Sequence, residues 1–269
     1  MRSSILTAAG ALLLATPALA QEFNGPYVGG SFGYSFNGDD DEETMLFDRG
    51  FDGTDDTVTT TAGTNAFSPG FCGGRAFGSR NTGCGDDRDT IQYHVRAGWD
   101  VQFGKFVVGA VGEFGRSEVG DSVAAFSTTP ASYTMTRTID WEANLRARAG
   151  VVLGERTLAY VTGGPAYARI DNSFETTNTQ NAFLDNGKSR SWGVVGGGGL
   201  EHKFTPNVSM GVEYLYSRYK DDDYRVRVVQ GIANPINPFI LFGAPGTEFR
   251  RSDPRFDFHA VRGTLAFRF

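Results

Sequence analysis

Three histidines, His94, His202 and His259, are the side chains with which this sequence could do acid–base chemistry near neutral pH. A Ser–His–acid hydrolase needs one of them beside a hydroxyl, with a carboxylate orienting the ring. His94 lies in the run TIQYHVRAGWDVQF, residues 90–103, and has no obvious partner at strand spacing. His202 and His259 fall toward opposite ends of the architecture derived below. Catalysis requires converging groups, so the expectation is no catalytic residue, no cofactor and no enzyme activity.

Other groups could hold metals or form covalent links. The acidic runs Asp39 to Glu43 and Asp221-Asp222-Asp223 could attract divalent cations, but they lack the regular spacing of a calcium loop and read as solvated loop charge. Cys72 and Cys84 have no Cys/His cluster around them, so a metal site is not expected.

The compartment decides how those cysteines are read. Arg2 is followed by an apolar run from Ile5 to Leu14 and then Thr-Pro-Ala-Leu-Ala at 16–20, the order of a secretory signal cleaved after Ala20. Residues 1–20 are therefore set apart from a mature chain of residues 21–269. In an exported chain the Cys72–Cys84 disulfide is expected, stabilising its short loop by about 2–3 kcal/mol. A formal charge of −6 argues against a nucleic-acid partner.

Beyond Leu19 nothing resembles an apolar helix long enough to span a bilayer. The 36 glycines, 22 phenylalanines and 10 tyrosines point instead to strands and turns. Residues 90–103 alternate strictly: Ile91, Tyr93, Val95, Trp99 and Val101 occupy one face, Gln92, His94, Arg96 and Asp100 the other. The same period marks eight strands, near 25–36, 90–103, 105–117, 137–154, 157–170, 190–204, 208–219 and 256–269. Pro165 with Gly163-Gly164 predicts a kink or bulge in the fifth. Residues 37–89, 171–188 and 220–255 read as long polar loops, with 224–232 a hairpin arm inside the last, and 118–136 as a looser connection around Pro130.

Connections alternate long, short, long, short, long, short, long, as in an up-and-down barrel whose tight turns share one end. A soluble barrel would face its apolar set inward. Here the strands reach about ten or more residues, enough to cross hydrocarbon at a tilt. The charge-free face carries aromatics near strand ends, among them Tyr93, Phe103, Trp141, Trp192, Tyr214, Tyr216, Phe267 and Phe269, as membrane girdles do. The expected fold is therefore an all-β, eight-stranded antiparallel up-and-down transmembrane β-barrel in the cell outer membrane, with short periplasmic turns and long extracellular loops. In lipid the backbone is satisfied only if the first strand pairs with the last.

That orientation turns a set of charges inward: Arg96, Asp100, Glu113, Asp140, Glu142, Arg146, Arg148, Glu201, Glu213, Arg262 and Arg268. They could form a selectivity filter or a plug of salt bridges. An eight-stranded bore is just wide enough for side chains to fill it, and an unpaired charge there would cost several kcal/mol. The plug is expected.

The runs WEANLRARAGVVLG, AYVTGGPAYARI and VSMGVEYLYSRY resemble the small outer-membrane β-barrel family of opacity-type surface antigens and alphaproteobacterial porin family proteins. The matching residues are Arg146, Arg148 and Gly150; Tyr160, Val161, Gly163, Gly164, Ala166 and Tyr167; and Glu213, Tyr214 and Tyr216. His202 departs from the pattern, standing where that family often carries an aromatic. The resemblance implies that terminal Phe269 is read by the outer-membrane insertion machinery. It leaves a structural, surface-exposed barrel as the expected function, contributing to envelope integrity, with a narrow passive porin and a lipid-modifying enzyme as alternatives. Expected partners are outer-membrane lipid and lipopolysaccharide, and host or phage surface ligands at the loops.

Overall fold

A computed structural model describes residues 22–38 and 43–269. The expected signal at 1–20 and most of the first acidic run lie outside the described residues. Eight long strands form the body: β1 Gly25–Asn37, β2 Thr90–Phe103, β3 Phe106–Ser117, β4 Ala131–Leu153, β5 Thr157–Thr176, β6 Ser189–Lys203, β7 Val208–Lys220 and β8 Arg255–Arg268. Each pairs antiparallel with its sequence neighbour. β1 also pairs with β8, from Tyr27↔Arg268 to Asn37↔Phe258, so the sheet closes on itself and leaves no open edge around the body.

Alternation places the apolar face outside. Val95 and Val161 are each 66% exposed, whereas Arg146 and Glu213 are 0% exposed. In water this arrangement would be inverted, since burying one large aliphatic side chain contributes roughly 1.5–3 kcal/mol. The belt is bounded below by Phe103, Phe106, Phe204, Phe267 and Phe269, near the tight turns and the chain's end, and above by Tyr93, Phe114, Trp192 and Tyr214.

Glycine on the inner face makes room for large side chains. A Cβ at Gly98 would lie 2.4 Å from the Tyr27 ring, and one at Gly115 would lie 2.4 Å from the His94 ring. The bore is thereby filled by aromatic and guanidinium groups instead of methyls.

Two expectations about the connections are corrected and a third is extended. β4 and β5 run to 23 and 20 residues and stand well above the belt, so 171–188 is not simply loop. Residues 118–136 form a hairpin in which Gly120–Ser127 pairs with the start of β4. The hairpin arm expected at 224–232 is present, Val226–Val229 pairing antiparallel with Thr247–Arg251 inside 220–255, but it is not confined to its own loop: it is an inner strand of a four-stranded sheet, with Ala182–Asp185 on its other side and Met45–Arg49 at the far edge. That sheet covers a core of its own that includes Phe47, Val58, Phe67, Tyr133, Met135, Val226, Phe239 and Phe249. The rings of Phe47 and Phe67 stack at 4.3 Å. The long loops together make a folded extracellular cap.

The expected irregularity at Pro165 is also relocated. Register passes unshifted from Gly163↔Ala147 to Ala166↔Asn144, and the β4–β5 shift falls between Arg169 and Ile170, opposite Asp140. Proline only removes a ladder donor there. The extra residue of the bulge reverses facing: below it Glu142 and Arg146 point inward, above it Ile139 and Arg137 do.

Candidate functional site

The chemistry-bearing interior is a stack of layers inside the barrel. At the tight-turn end, Phe23, Val107, Val152 and Leu158 close the floor. Above them Arg268, from β8, and Arg148, from β4, share two carboxylates. Arg268 Nη2 lies 2.8 Å from Asp100 Oδ2 and 2.7 Å from Glu201 Oε1, while Arg148 Nη2 lies 2.7 Å from Glu201 Oε2. Arg148 also donates to the Tyr27 hydroxyl at 3.1 Å, and Ser209 donates to Glu201 at 2.7 Å.

The central layer holds Glu113 and Glu213 among three arginines. Arg146 reaches Glu113 at 2.8 Å and Glu213 at 3.0 Å. Arg262 reaches the same two at 2.5 and 2.8 Å, and Arg96 Nε lies 3.3 Å from Glu113 Oε1. Tyr160 donates to Glu213 at 3.1 Å. Every one of these charges is almost wholly buried, so each would be costly alone.

Next comes a cluster that sequence spacing does not show. His94 Nε2 lies 2.9 Å from Glu142 Oε1, and Tyr219 donates to Glu142 Oε2 at 2.5 Å. His94 therefore has a carboxylate partner, correcting the reading from strand spacing: the two sit on β2 and β4, which are not neighbours, and meet across the bore. Arg262 Nη1 stands 3.4 Å from His94 Nδ1. Among the described residues no serine or threonine hydroxyl is bonded to His94, and the His94 side chain is 0% exposed. His202 bonds Thr157 at 2.9 Å near the tight turns, and His259 bonds Tyr214 at 2.6 Å on the outer face.

Asp140 is the one expected interior charge that the structure places elsewhere. Its carboxylate pairs with Arg116 at 2.6 Å and Arg169 at 3.6 Å on the outer surface. The bulge is the cause, since it sets Asp140 and its neighbour Trp141 on the outside together. The remaining five interior acids, Asp100, Glu113, Glu142, Glu201 and Glu213, meet five arginines, 96, 146, 148, 262 and 268, so the formal charge of the bore balances.

Over the charged layers lies an apolar one, with Ile139, Ile170, Leu215, Phe256 and Phe258. A second ionic knot then ties cap to barrel. Arg137 of β4 pairs with Asp121 at 2.5 Å, and Arg251 of the cap sheet pairs with Asp121 at 2.8 Å and with Glu43. Burial opposes ionisation of Asp121, but the Arg251 and Arg137 guanidiniums outweigh it and hold the carboxyl below the usual range. Nothing local in the sequence marks this knot, because its members are separated by as many as 208 residues.

Cys72 and Cys84 form a disulfide beside the hairpin that carries Asp121, closing a 12-residue separation. Among the described residues no group of three or more His, Cys, Asp or Glu is arranged to hold a metal ion. Phe269 ends the chain on the outer belt, its backbone N–H donating to Pro26.

A closed antiparallel barrel with an apolar exterior, aromatic girdles and a paired ionic interior defines the class of outer-membrane β-barrel proteins. Residues 6–233 match the family described as outer membrane protein beta-barrel domain, and the chain belongs to that family. It is 28% identical over 195 residues to the 31 kDa outer-membrane immunogenic protein of Brucella melitensis, covering 72% of this chain and 67% of that one. It is 31% identical over 128 residues to the 25 kDa outer-membrane immunogenic protein of Brucella abortus, covering 48% of this chain and 52% of the relative. Among solved structures, the outer membrane protein OprG from Pseudomonas aeruginosa aligns over 90% of this chain and 96% of its own, at 10% identity and a TM-score of 0.46. The protein is thus an outer-membrane β-barrel with a surface-exposed cap.

Proposed function

We propose that this protein is a structural, surface-exposed barrel that contributes to envelope integrity and presents its cap to partners outside the cell, without conducting solutes and without catalysis. The observation that carries this reading is the filling of the bore. Floor, two ion-pair layers, the His94–Glu142–Tyr219 cluster, an apolar layer and the cap succeed one another along the bore, each built from buried side chains. A selectivity filter needs charges that a passing solute can reach. Here Arg146, Glu213 and Asp100 are at 0% exposure, Arg146 pairing with Glu213 and Asp100 with Arg268. The cap, with its separate core, supports a role in surface contact with host or phage ligands. Phe269, exposed at the chain's end, is assigned to recognition by the outer-membrane insertion machinery.

Deleting the gene and comparing detergent sensitivity with uptake of small solutes tests this reading. Raised detergent sensitivity with unchanged uptake is expected. Reduced uptake with unchanged detergent resistance would sink it and favour a passive pore.

A further inference from the structure

The outer surface just above the upper aromatic girdle is not electrically uniform around the barrel. On the β7–β8 flank each cation has an acid: Arg218 pairs with Asp257 at 3.0 Å, Lys220 with Asp222 at 2.7 Å and Arg255 with Asp253 at 3.1 Å. On the β3–β6 flank the balance fails. Arg116, Arg169, Lys188 and Arg190 face outward there, and the acids that ion-pair with them among the described residues are Asp140 and Asp171. Those two carboxylates are shared along a chain: Arg116–Asp140 at 2.6 Å, Arg169–Asp140 and Arg169–Asp171 both at 3.6 Å, and Lys188–Asp171 at 3.0 Å.

Arg190 is left over. It is exposed, and among the described residues its guanidinium has no ion-pair or hydrogen-bond partner. Its direct cross-strand partner is Arg169. Two like charges opposite one another on a sheet face destabilise it unless something of opposite sign lies between them. Among the described residues no acid pairs with Arg190, and Arg169 stands 3.6 Å from each of its two carboxylates.

What lies beneath fixes the height of this pair. Arg169 and Arg190 are each two residues above the Tyr167↔Trp192 cross-strand pair, and Trp141 is the partner of Arg169 on β4. The three rings form a ladder, with centroids 5.9 Å apart for Trp141–Tyr167 and 5.0 Å for Tyr167–Trp192. Aromatic ladders of this kind sit at headgroup level, so the unbalanced guanidiniums stand where lipid phosphates are.

We infer that Arg169 and Arg190, with Lys188 beside them, form a binding site for the phosphate of an outer-leaflet lipid headgroup, the lipid's chains lying against Trp141, Tyr167 and Trp192. Guanidinium forks suit a phosphate because they offer two donors in one plane. The anion supplies the charge that the sheet lacks, and the site ties the barrel laterally to the lipid around it. The inference rests on the barrel standing in the outer membrane and deepens the lipid contact of the proposed structural role.

The test uses the protein's own tryptophans. The mature protein, with Trp99→Phe to remove the third indole, is reconstituted in phosphatidylcholine vesicles containing brominated lipid, which quenches Trp141 and Trp192 when it lies against them. Brominated phosphatidic acid, a phosphomonoester lipid, should be preferred over brominated phosphatidylcholine by on the order of tenfold, given about fivefold for each uncompensated cation near a charged surface. Arg190→Gln should lower that preference about fivefold, Arg190→Lys should retain most of it, and Arg218→Gln on the balanced flank should leave it unchanged. Equal preference in the wild type and Arg190→Gln would overturn the site. So would loss of the wild-type preference on adding inorganic phosphate at about 10 mM, a result that assigns the arginines to free anions in place of lipid. The heat-dependent gel shift of each variant is read in parallel. Its loss would count against the barrel, whereas unchanged lipid selectivity in an intact barrel counts against this site alone.

Discussion

Glu213 of β7 and Arg262 of β8 are direct cross-strand partners, and their side chains meet inside the barrel, Arg262 Nη2 standing 2.8 Å from Glu213 Oε2. The same carboxylate also takes Arg146 at 3.0 Å and the Tyr160 hydroxyl at 3.1 Å. One acid therefore joins its own strand to three others. Replacing it with Gln leaves three buried guanidiniums around Glu113. Glu213→Gln should destabilise the barrel by about 3–5 kcal/mol, the usual cost of orphaning a buried charge. Urea unfolding in lipid vesicles measures it. A loss below about 1 kcal/mol would mean that the central layer is not a closed ion network.

Asp121 links cap and barrel, and its pH dependence has a definite sign. Arg251 and Arg137 lower its carboxyl below the usual range in the folded state, despite burial. A depressed acid contributes stability that is fully present above its unfolded value, about 3.9, and is lost as pH falls through the lower folded value. Hydrogen exchange of Val226–Val229 and Thr247–Arg251 should therefore be flat from pH 7 down to about 4, after correction for intrinsic rates, and rise only in stronger acid. Loosening of these strands already at pH 6 would contradict the assignment.

Cys72 and Cys84 tie the strand at Phe71–Gly73 to the segment that leads into β2. Their link lies outside the closed body. Reduction, or Cys72→Ser with Cys84→Ser, should leave the heat-dependent gel shift of the barrel intact. Protease cleavage within 71–89 should rise about 30- to 150-fold, the factor that corresponds to losing about 2–3 kcal/mol of local stability. Unchanged cleavage would show that packing of Phe71 against the cap core alone fixes this segment.

Phe269 makes one backbone bond to Pro26 and packs against Phe267, with ring centroids 5.2 Å apart. Its side chain is otherwise exposed, so removing it forfeits little folding energy. Phe269→Ser should refold into pure lipid vesicles as the wild type does, yet reach the outer membrane of cells at a markedly lower level. Equal levels in cells would remove the insertion role assigned to this ring.

The barrel was legible in the sequence because period-2 alternation is local: residues 90–103 separate Ile91, Tyr93 and Val95 from Arg96 and Asp100 without reference to any other segment. The cap was not, because its sheet joins Met45–Arg49 to Thr247–Arg251 across some two hundred positions and no window along the chain contains both. Asp140 was misplaced for a related reason. Alternation carried upward from Glu142 points it inward, and only the register shift opposite Arg169 and Ile170, a property of two strands, turns it out. The pairing of His94 with Glu142 is not visible at strand spacing, which looks along one strand or to its neighbour, whereas a narrow bore brings strands on either side of β3 within reach.

A structural role without conduction requires the bore to be blocked, and single-channel recording tests that directly. Purified monomer inserted into planar bilayers should hold a closed baseline, with insertion verified by the heat-dependent gel shift of protein recovered from the same preparation. Stable, reproducible conductance steps from the wild-type monomer would mean that water and ions pass the Glu113–Arg146–Glu213 layer, and the plugged barrel would have to be abandoned.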